Sequence, residues 1–186
     1  MITPVIVDIM GQVIDTVRAN SFDLTFNETF SGPGAPFYMY GHRREIANTL
    51  LQMDEDSVNK YRKYPLFALR MDIAEEVEDG MVEYNMNIAI LDYTKPEYSA
   101  AERYEHVFKP FLYPLYELFM DALKIHKFYW KGDYPPHTKI DRPFWGVTEN
   151  VQRGVSNGND GYIFNDPLDA IEIVNLRVKR LLVCEI

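Results

Sequence analysis

The sequence has little of three features on which many protein activities depend: cysteine, positive charge and long apolar runs. Its 186 residues include one cysteine, Cys184, so neither an intramolecular disulfide nor a cysteine-rich zinc site can form. With 19 basic and 28 acidic residues, the formal net charge is -9, which argues against a general nucleic-acid-binding surface. The charge leaves open an acidic wall past which DNA slides without adhering.

Membrane and export signals are also missing from the sequence. No apolar run approaches the ~18 residues of a transmembrane helix, and the N-terminus lacks a basic segment followed by a small-residue cleavage site. We therefore expect no membrane association and no signal peptide. A hydrophobic fraction of 47% is enough for a buried core, and the length fits one domain over residues 1–186.

Recognisable catalytic and metal-binding motifs are absent from the sequence as well. There is no HExxH, GxSxG, P-loop or GxGxxG pattern, and the four histidines do not cluster. We interpret GHRRE (residues 41–45) as a helix start, and the acidic residues at 54–56 and 75–79 as solvated turns or a patch for a basic partner surface. We predict no enzyme activity, no cofactor and no metal, with a small hydrolase lacking a recognisable motif as the alternative.

Hydrophobic periodicity predicts the elements of the first third of the chain. We expect a helix over residues 3–19 that Thr3 caps, a half-buried strand over 21–30, a turn-rich loop over 31–36 and a helix over 42–53. The apolar stripe of the first helix consists of Ile6, Ile9, Met10, Val13, Ile14 and Val17.

The middle and the end of the chain are strand-like. Residues 65–73 and 81–94 are predicted to pair as an antiparallel hairpin, joined by a connection over 75–80 with its turn at Asp79-Gly80. The last strand changes the phase of its apolar residues, which indicates a bulge near Val174 or two consecutive strands.

The stretch AERYEHVFKPFLYPLYELFMDAL (residues 101–123) has helical periodicity but contains Pro110 and Pro114. Each proline would cost roughly 3 kcal/mol in an isolated helix, whereas each buried Phe or Leu contributes about 1.5–3 kcal/mol. We therefore predict one helix over about 100–123, kinked near 106–110. The alternative is a break, with a second helix that starts at one of the prolines.

Residues 131–167 are rich in Gly, Pro, Asn and Asp, so we predict a long irregular insertion that contacts other subunits, with short strand pieces at 143–151 and 161–164. The order of elements predicts an α+β fold with a mostly antiparallel sheet. Aromatic residues beside loops either cover the edge of a core or anchor protein contacts. The predicted subunit-interface residues are Phe37, Tyr38, Tyr40, Tyr134, Phe144, Trp145, Arg153 and Tyr162.

A family resemblance adds to this interpretation. The segments YGHRREIANTLLQMD, KYPLFALRMDIAEE and YNMNIAILDYTKPEYSAAERYEHVFKPFLYPLYELFM, within residues 40–123, resemble a family encoded by tailed phages and prophages of gut bacteria. The order of elements also resembles tail-terminator and head-tail neck proteins.

The resemblance implies a structural virion protein that forms a ring between head and tail, with a hexamer favoured over a dodecamer. Its partners would be further copies of itself and neighbouring neck and tail proteins, and DNA would pass without sequence-specific binding. The protein would be assembled in the bacterial host cytoplasm and be found in the virion. A soluble adaptor that binds a host protein is a further alternative.

Overall fold

A mostly antiparallel, six-stranded sheet lies between helices on its two faces, which confirms the predicted α+β class. The computed structural model describes residues 5–24, 34–56, 62–145 and 166–181. The helical elements are α1 (Ile6–Asn20), α2 (Arg43–Glu55), α3 (Ala100–Arg103), a π-helical segment (Tyr104–Leu112) and α4 (Tyr113–Ile125). The strands are β1 (Phe37–Gly41), β2 (Leu66–Arg70), β3 (Ala74–Glu78), β4 (Met81–Tyr93), β5 (Thr138–Trp145) and β6 (Leu168–Leu181).

The strand order is β1-β2-β4-β6-β5, which makes β1 and β5 the outer strands of this order, whereas β3 pairs with β4 alone among the described strands. β1 runs parallel to β2, and every other pair is antiparallel. The predicted pairing of β2 with β4 is confirmed, with Leu66 opposite Leu91 and Leu69 opposite Ile88. β3 pairs with the first half of β4, on the same side as β2.

The N-terminal helix α1 buries every residue of its predicted apolar stripe. It begins at Ile6, after Val5, which caps the helix without a side-chain hydrogen bond. The predicted cap, Thr3, lies outside the described residues. The predicted strand over 21–30 is wrong where it can be compared, because residues 21–24 form a turn in which Phe22 is 80% exposed.

Helix α2 begins at a capping box, as the interpretation of GHRRE as a helix start requires. The Glu45 carboxylate accepts from the His42 N–H at 2.8 Å, and His42 Nδ1 accepts from the Arg44 N–H at 3.2 Å. Gly41 precedes the cap with a φ of 148°, and a Cβ there would lie 3.0 Å from the Glu45 carboxylate. Glycine at position 41 therefore allows the chain to turn from β1 into α2.

The connection between the paired strands contains a strand of its own. Residues 74–78 form β3, so the prediction that the acidic residues after position 74 occupy a turn is wrong except at Asp79. The predicted turn at Asp79-Gly80 is confirmed, with φ values of 51° and 75° that suit a two-residue hairpin. All five residues of β3 are exposed.

The proline-containing helix is continuous from residue 100 to residue 125, which excludes the predicted alternative of a break. Ser99 and Glu102 form the expected capping box at its start. The expected distortion takes the form of π-helical hydrogen bonding: the Tyr113 N–H donates to Phe108 O, five residues back. This wider turn accommodates Pro110, which has no N–H to donate. Pro114 is the second residue of α4, directly after the π-helical segment.

The predicted irregular segment at 131–167 is wrong at residues 138–142, which belong to the outer strand β5, and the strand piece predicted from 143 is confirmed at residues 143–145. Residues 146–165 lie outside the described residues. The bulge expected near Val174 is confirmed, because Met86 faces Leu176 whereas Ile88 faces Ile173. Asn175, in this bulge, has a φ of 55°. The extra residue on β6 returns its apolar side chains to one face, where Ile171, Ile173, Leu176 and Val178 are all buried.

The core has one layer on each face of the sheet. On one face, α1, the π-helical segment and α4 cover the inward residues of β4 and β6. On the other face, α2 places Ile46 and Leu50 in a smaller cluster that includes Ala68 and Ala89 of the sheet. We call these the α4 face and the α2 face. α2 covers only part of its face, and charged residues occupy the remainder.

Candidate functional site

The outer edge of β1 carries three of the predicted interface residues. Phe37 donates its N–H toward the interior, to Pro65 O at 2.8 Å. Because backbone groups alternate along a strand, the N–H groups of Tyr38 and Tyr40 point to the outer edge. No other strand of the described residues pairs with that edge. The Tyr40 side chain is 55% exposed, so this edge offers both backbone donors and an aromatic surface.

A cleft of about 530 Å³ lies beside β1, between α1 and α2. Its walls include Gly11 and Arg18 of α1, and Met53 of α2. The Arg18 guanidinium donates to Pro36 O at 2.9 and 3.1 Å, which fixes the chain just before β1. The Tyr38 hydroxyl donates to Val7 O at 3.0 Å and connects the strand to the start of α1. The cleft and the β1 edge together form the candidate site that we call the β1 edge site.

The other predicted interface residues do not join the β1 edge site. Tyr134 lies after α4, where its hydroxyl donates to Glu117 at 2.7 Å and its ring stacks on Tyr116. Trp145 is only 8% exposed, so the prediction that its ring is a contact anchor is wrong. Phe144 is half-buried at the end of β5. Arg153 and Tyr162 lie outside the described residues.

A cluster of arginines surrounds the Trp145 side chain on the α2 face. The Trp145 indole N–H donates to Glu172 at 2.7 Å, and Arg142 Nε donates to the other oxygen of the same carboxylate at 2.9 Å. Arg43, from the start of α2, lies 4.6 Å from the centre of the Trp145 ring. Burial lowers the pKa of Arg43, Glu172 raises it, and the positive charges of Arg70 and Arg142 lower it further. Arg43, Arg70 and Arg142 form a group that we call the arginine surface.

The α4 face contains a buried ion pair that the sequence analysis missed. Arg103 of α3 and Asp169 of β6 are 2% and 0% exposed, with 2.8 Å between Nη1 and Oδ1. The Phe144 N–H also donates to Asp169 Oδ1 at 2.9 Å, and the Arg103 guanidinium lies 3.5 Å from the centre of the Phe144 ring. The acceptors of Arg103 are Asp169, the Thr94 hydroxyl and the carbonyls of Lys95, Pro96 and Tyr98.

We call this arrangement the Arg103 clasp, since it joins α3 and the loop before it to β6 and the end of β5. All five N–H groups of the guanidinium have acceptors, so Arg103 is fully satisfied. Its role is therefore to hold the fold rather than to bind a ligand.

A second buried carboxylate, Asp92, lies directly opposite Asp169 in the β4–β6 pairing. Burial raises the pKa of Asp92 to about 7, the Tyr93 N–H lowers it, and the charge of Asp169 raises it. The sequence held a signal for both residues, because Asp92 continues the inward alternation of Ile88 and Ile90, and Asp169 that of Ile171 and Ile173. A carboxylate in phase with core residues indicates a buried polar partner.

Lys63 forms another buried ionic contact, where the chain enters β2. Its ammonium group is fully buried, donates to Asp166 at 2.7 Å and also binds Asp54. The Tyr64 hydroxyl donates to the same Asp166 oxygen at 3.0 Å. No sequence pattern predicts this contact, since Lys63 and Asp166 are 103 positions apart.

The acidic strand β3 is the remaining charged feature. Glu76 lies directly opposite Glu83 of β4, and this pairing of like charges is unfavourable. Lys179 of β6 forms an ion pair with Glu83 at 2.9 Å. The hydrogen bond and charge of Glu83 raise the pKa of Lys179, and the charges of Glu78 and Glu76 raise it further. Glu75, Glu76, Glu78 and Asp79 make no ion pair with another described residue, and we call them the acidic strand.

No family model, curated protein or solved structure matches the chain. Among the described residues, no helix is long and apolar enough to cross a membrane. The same residues contain no group of three or more His, Cys, Asp or Glu side chains arranged to hold a metal ion.

Proposed function

We propose that the protein is a structural subunit that associates with copies of itself into a ring, and that this ring is a tail-terminator or neck component of a phage virion. The observation that carries the proposal is the β1 edge site, where a strand edge without a partner among the described residues adjoins a cleft large enough to receive side chains. An exposed edge of this kind is a template for an added strand.

The composition of the β1 edge site supports a protein partner. Tyrosine is enriched at protein–protein contacts, because it provides a large apolar area and a polar group at the cost of few side-chain rotations. Tyr38 and Tyr40 lie with their ring centres 6.2 Å apart beside the cleft, and Arg18 and Asp15 supply charge at its rim. Such a site suits an apolar contact with a polar border.

In the proposed ring, the β1 edge site of one copy meets a different patch of the next copy. The β1 edge site lies at one end of the sheet, and the arginine surface and the acidic strand lie elsewhere on the molecule. A contact between two different patches is heterologous, and repetition of it closes a ring when the rotation between copies is suitable. The net charge of -9 agrees with a passage through which DNA moves without adhering.

A proline substitution tests the proposal. Tyr40→Pro removes an outward-pointing N–H and keeps the bonds from β1 to β2, which use alternate residues. We expect the wild-type protein to form a ring-sized oligomer in light scattering after size-exclusion chromatography, and Tyr40→Pro to remain monomeric with an unchanged circular dichroism spectrum. Tyr40→Ala, which keeps the N–H, is the matched control and should retain part of the association.

Two results would contradict the proposal. One is a wild-type protein that stays monomeric when concentrated and also when mixed with neighbouring neck and tail proteins. The other is the absence of the chain from purified virions examined by mass spectrometry.

A further inference from the structure

The arginine surface is a local excess of positive charge on an acidic protein. Arg43, Arg70 and Arg142 come from α2, β2 and β5, and two carboxylates, Glu172 and Asp72, lie among them. Both oxygens of Glu172 are already engaged, one with Trp145 and the other with Arg142. Arg43 makes no ion pair with a described residue. Its charge is therefore available to an anionic group outside the subunit.

The acidic strand is a local excess of negative charge. Its five-residue β3 is fully exposed, and Glu76 and Glu78 share the face of the sheet on which Glu83 and Lys179 lie. Lys179, which lines the groove beside Glu76 and Glu78, is already paired with Glu83. A cationic partner would relieve the repulsion between Glu76 and Glu83, which the subunit itself leaves unbalanced.

The fold holds Arg142 far from the acidic strand within one subunit, and the nearer Arg70 is paired with Asp72. β3 is held flat against the start of β4 by five residue pairs. Arg142 lies at the level of Ala170, which faces Leu91 near the other end of β4. Leu91 and Glu83 are separated by eight residues of strand, or about 26 Å, which is well beyond the reach of an arginine side chain.

From this charge complementarity we infer that the acidic strand of one subunit docks on the arginine surface of a neighbouring copy. The inference rests on the proposed ring and gives it a second contact beside the β1 edge site. The guanidinium groups bind the carboxylates of Glu76 and Glu78, and Arg43 and Arg70 are the most accessible donors. In the proposed ring the contact is head-to-tail, because each subunit gives its acidic strand to one neighbour and its arginine surface to the other.

A second copy suits the arginine surface better than DNA does. The positive group is small and contains two carboxylates, and the whole chain carries a net charge of -9, which repels a polyanion at long range. A neighbouring acidic strand brings only a few carboxylates. The carboxylates of Glu76 and Glu78 equal in number the two arginines, Arg43 and Arg70, that would bind them.

Charge reversal in complementary pairs provides the test. R43E/R70E and E76K/E78K each place like charges on both sides of the contact, so each variant alone should associate at least about tenfold more weakly than wild type. An equimolar mixture of the two should recover, because every contact in an alternating ring then joins opposite charges. The quadruple variant R43E/R70E/E76K/E78K should assemble on its own. Size-exclusion chromatography with light scattering measures each case, and circular dichroism confirms folding.

Matched controls reverse charges outside the two surfaces. K109E/K124E and E105K/D121K alter exposed ion pairs of the π-helical segment and α4 by the same amount of charge. Both should assemble like wild type. Salt should weaken wild-type association, since exposed ionic contacts are screened within about 8 Å at physiological ionic strength.

The outcomes separate this inference from the proposed ring. If R43E/R70E and E76K/E78K each assemble as well as wild type, the docking inference is wrong and the ring stands. If wild type does not assemble at all, the ring itself is wrong. If wild type binds a labelled DNA duplex and R43E/R70E does not, the arginine surface binds DNA rather than a second copy, and the docking inference is wrong. Failure of the mixture to recover, with both variants folded, would also overturn the docking inference.

Discussion

The two outer strands of the sheet, β1 and β5, differ in how they present their edges. β1 has the sequence FYMYG, without a charged residue, and its five residues match the usual length of a strand. β5 has the sequence TKIDRPFW, in which Lys139, Asp141, Arg142 and Pro143 follow one another closely. Charges and proline on an outer strand discourage pairing with another chain. The chain therefore protects one edge and leaves the other open.

The two outer strands also differ in the interactions that connect them to the rest of the subunit. The end of β5 is tied to the buried Arg103 clasp through the Phe144 N–H. β1 is held by its pairing with β2 and by hydrogen bonds from Tyr38 and Arg18 to backbone carbonyls. This difference indicates that β5 serves the stability of the subunit, whereas β1 is the edge that serves assembly. Asp169→Ala and Tyr38→Phe test that division, and Asp92→Asn tests the buried carboxylate opposite Asp169.

The largest expected effect comes from Asp169→Ala, which removes the carboxylate of the Arg103 clasp. It leaves the Arg103 charge buried without its partner, so we expect a loss of about 3–5 kcal/mol in the free energy of unfolding. Urea denaturation followed by circular dichroism measures it. Asp121→Ala, which breaks an exposed ion pair with Lys124, is the control and should cost less than about 1 kcal/mol. A similar small loss in both variants would show that β5 does not depend on the clasp.

The next effect concerns Asp92, whose pKa is raised from 3.8 to about 7 by burial. Between these two values the folded state binds more protons than the unfolded state, so stability falls as the pH rises from about 4 to about 7. At most about 4 kcal/mol is lost across this range, at 1.36 kcal/mol for each pKa unit. Asp92→Asn should remove this pH dependence and should be more stable than wild type at pH 8.

Urea denaturation of wild type and Asp92→Asn at several pH values checks this prediction. Asp72→Asn serves as the control, because the Asp72 side chain is 51% exposed and should leave the pH profile unchanged. Parallel profiles for wild type and Asp92→Asn would refute the assignment of the pH dependence to Asp92.

Sequence patterns predicted the elements that depend on local periodicity. α1, α2, β2 and β4 follow from the spacing of their apolar residues, and the bulge in β6 follows from a change in that spacing. The start of the proline-containing helix follows from Ser99 and Glu102. In each case the information lies within a few neighbouring residues.

Sequence patterns failed where a distant partner decides the structure. Residues 74–78 form a strand because β4 is long enough to pair with both β2 and β3, although four carboxylates between positions 75 and 79 favour a turn. β5 is a strand because β6 offers it an edge, in spite of Pro143. The π-helical segment likewise depends on burial of Phe108 and Leu112, which holds the helix together through Pro110.

Only part of the candidate site was predicted from the sequence, because the exposure of a side chain also depends on distant partners. Phe37, Tyr38 and Tyr40 were identified from their aromatic character, and all three lie on an outer strand. Trp145 has the same character but is buried beneath the start of α2, because Glu172 and Arg43 come to it from other elements. Local composition therefore identifies candidate contact residues, and the tertiary fold decides which of them are exposed.

The smallest expected effect tests the weaker support of β1. Tyr38→Phe removes the hydroxyl that donates to Val7 O and keeps the ring, so we expect a loss of about 0.5–1.5 kcal/mol in the free energy of unfolding. Tyr40→Phe is the matched control, since the Tyr40 hydroxyl has no hydrogen-bond partner among the described residues, and its stability should not change. Both variants keep the backbone edge and the aromatic surface, so both should associate like wild type in light scattering. If Tyr38→Phe lost as much stability as Asp169→Ala, β1 would be held as firmly as β5, and the division between an assembly edge and a stability edge would be wrong.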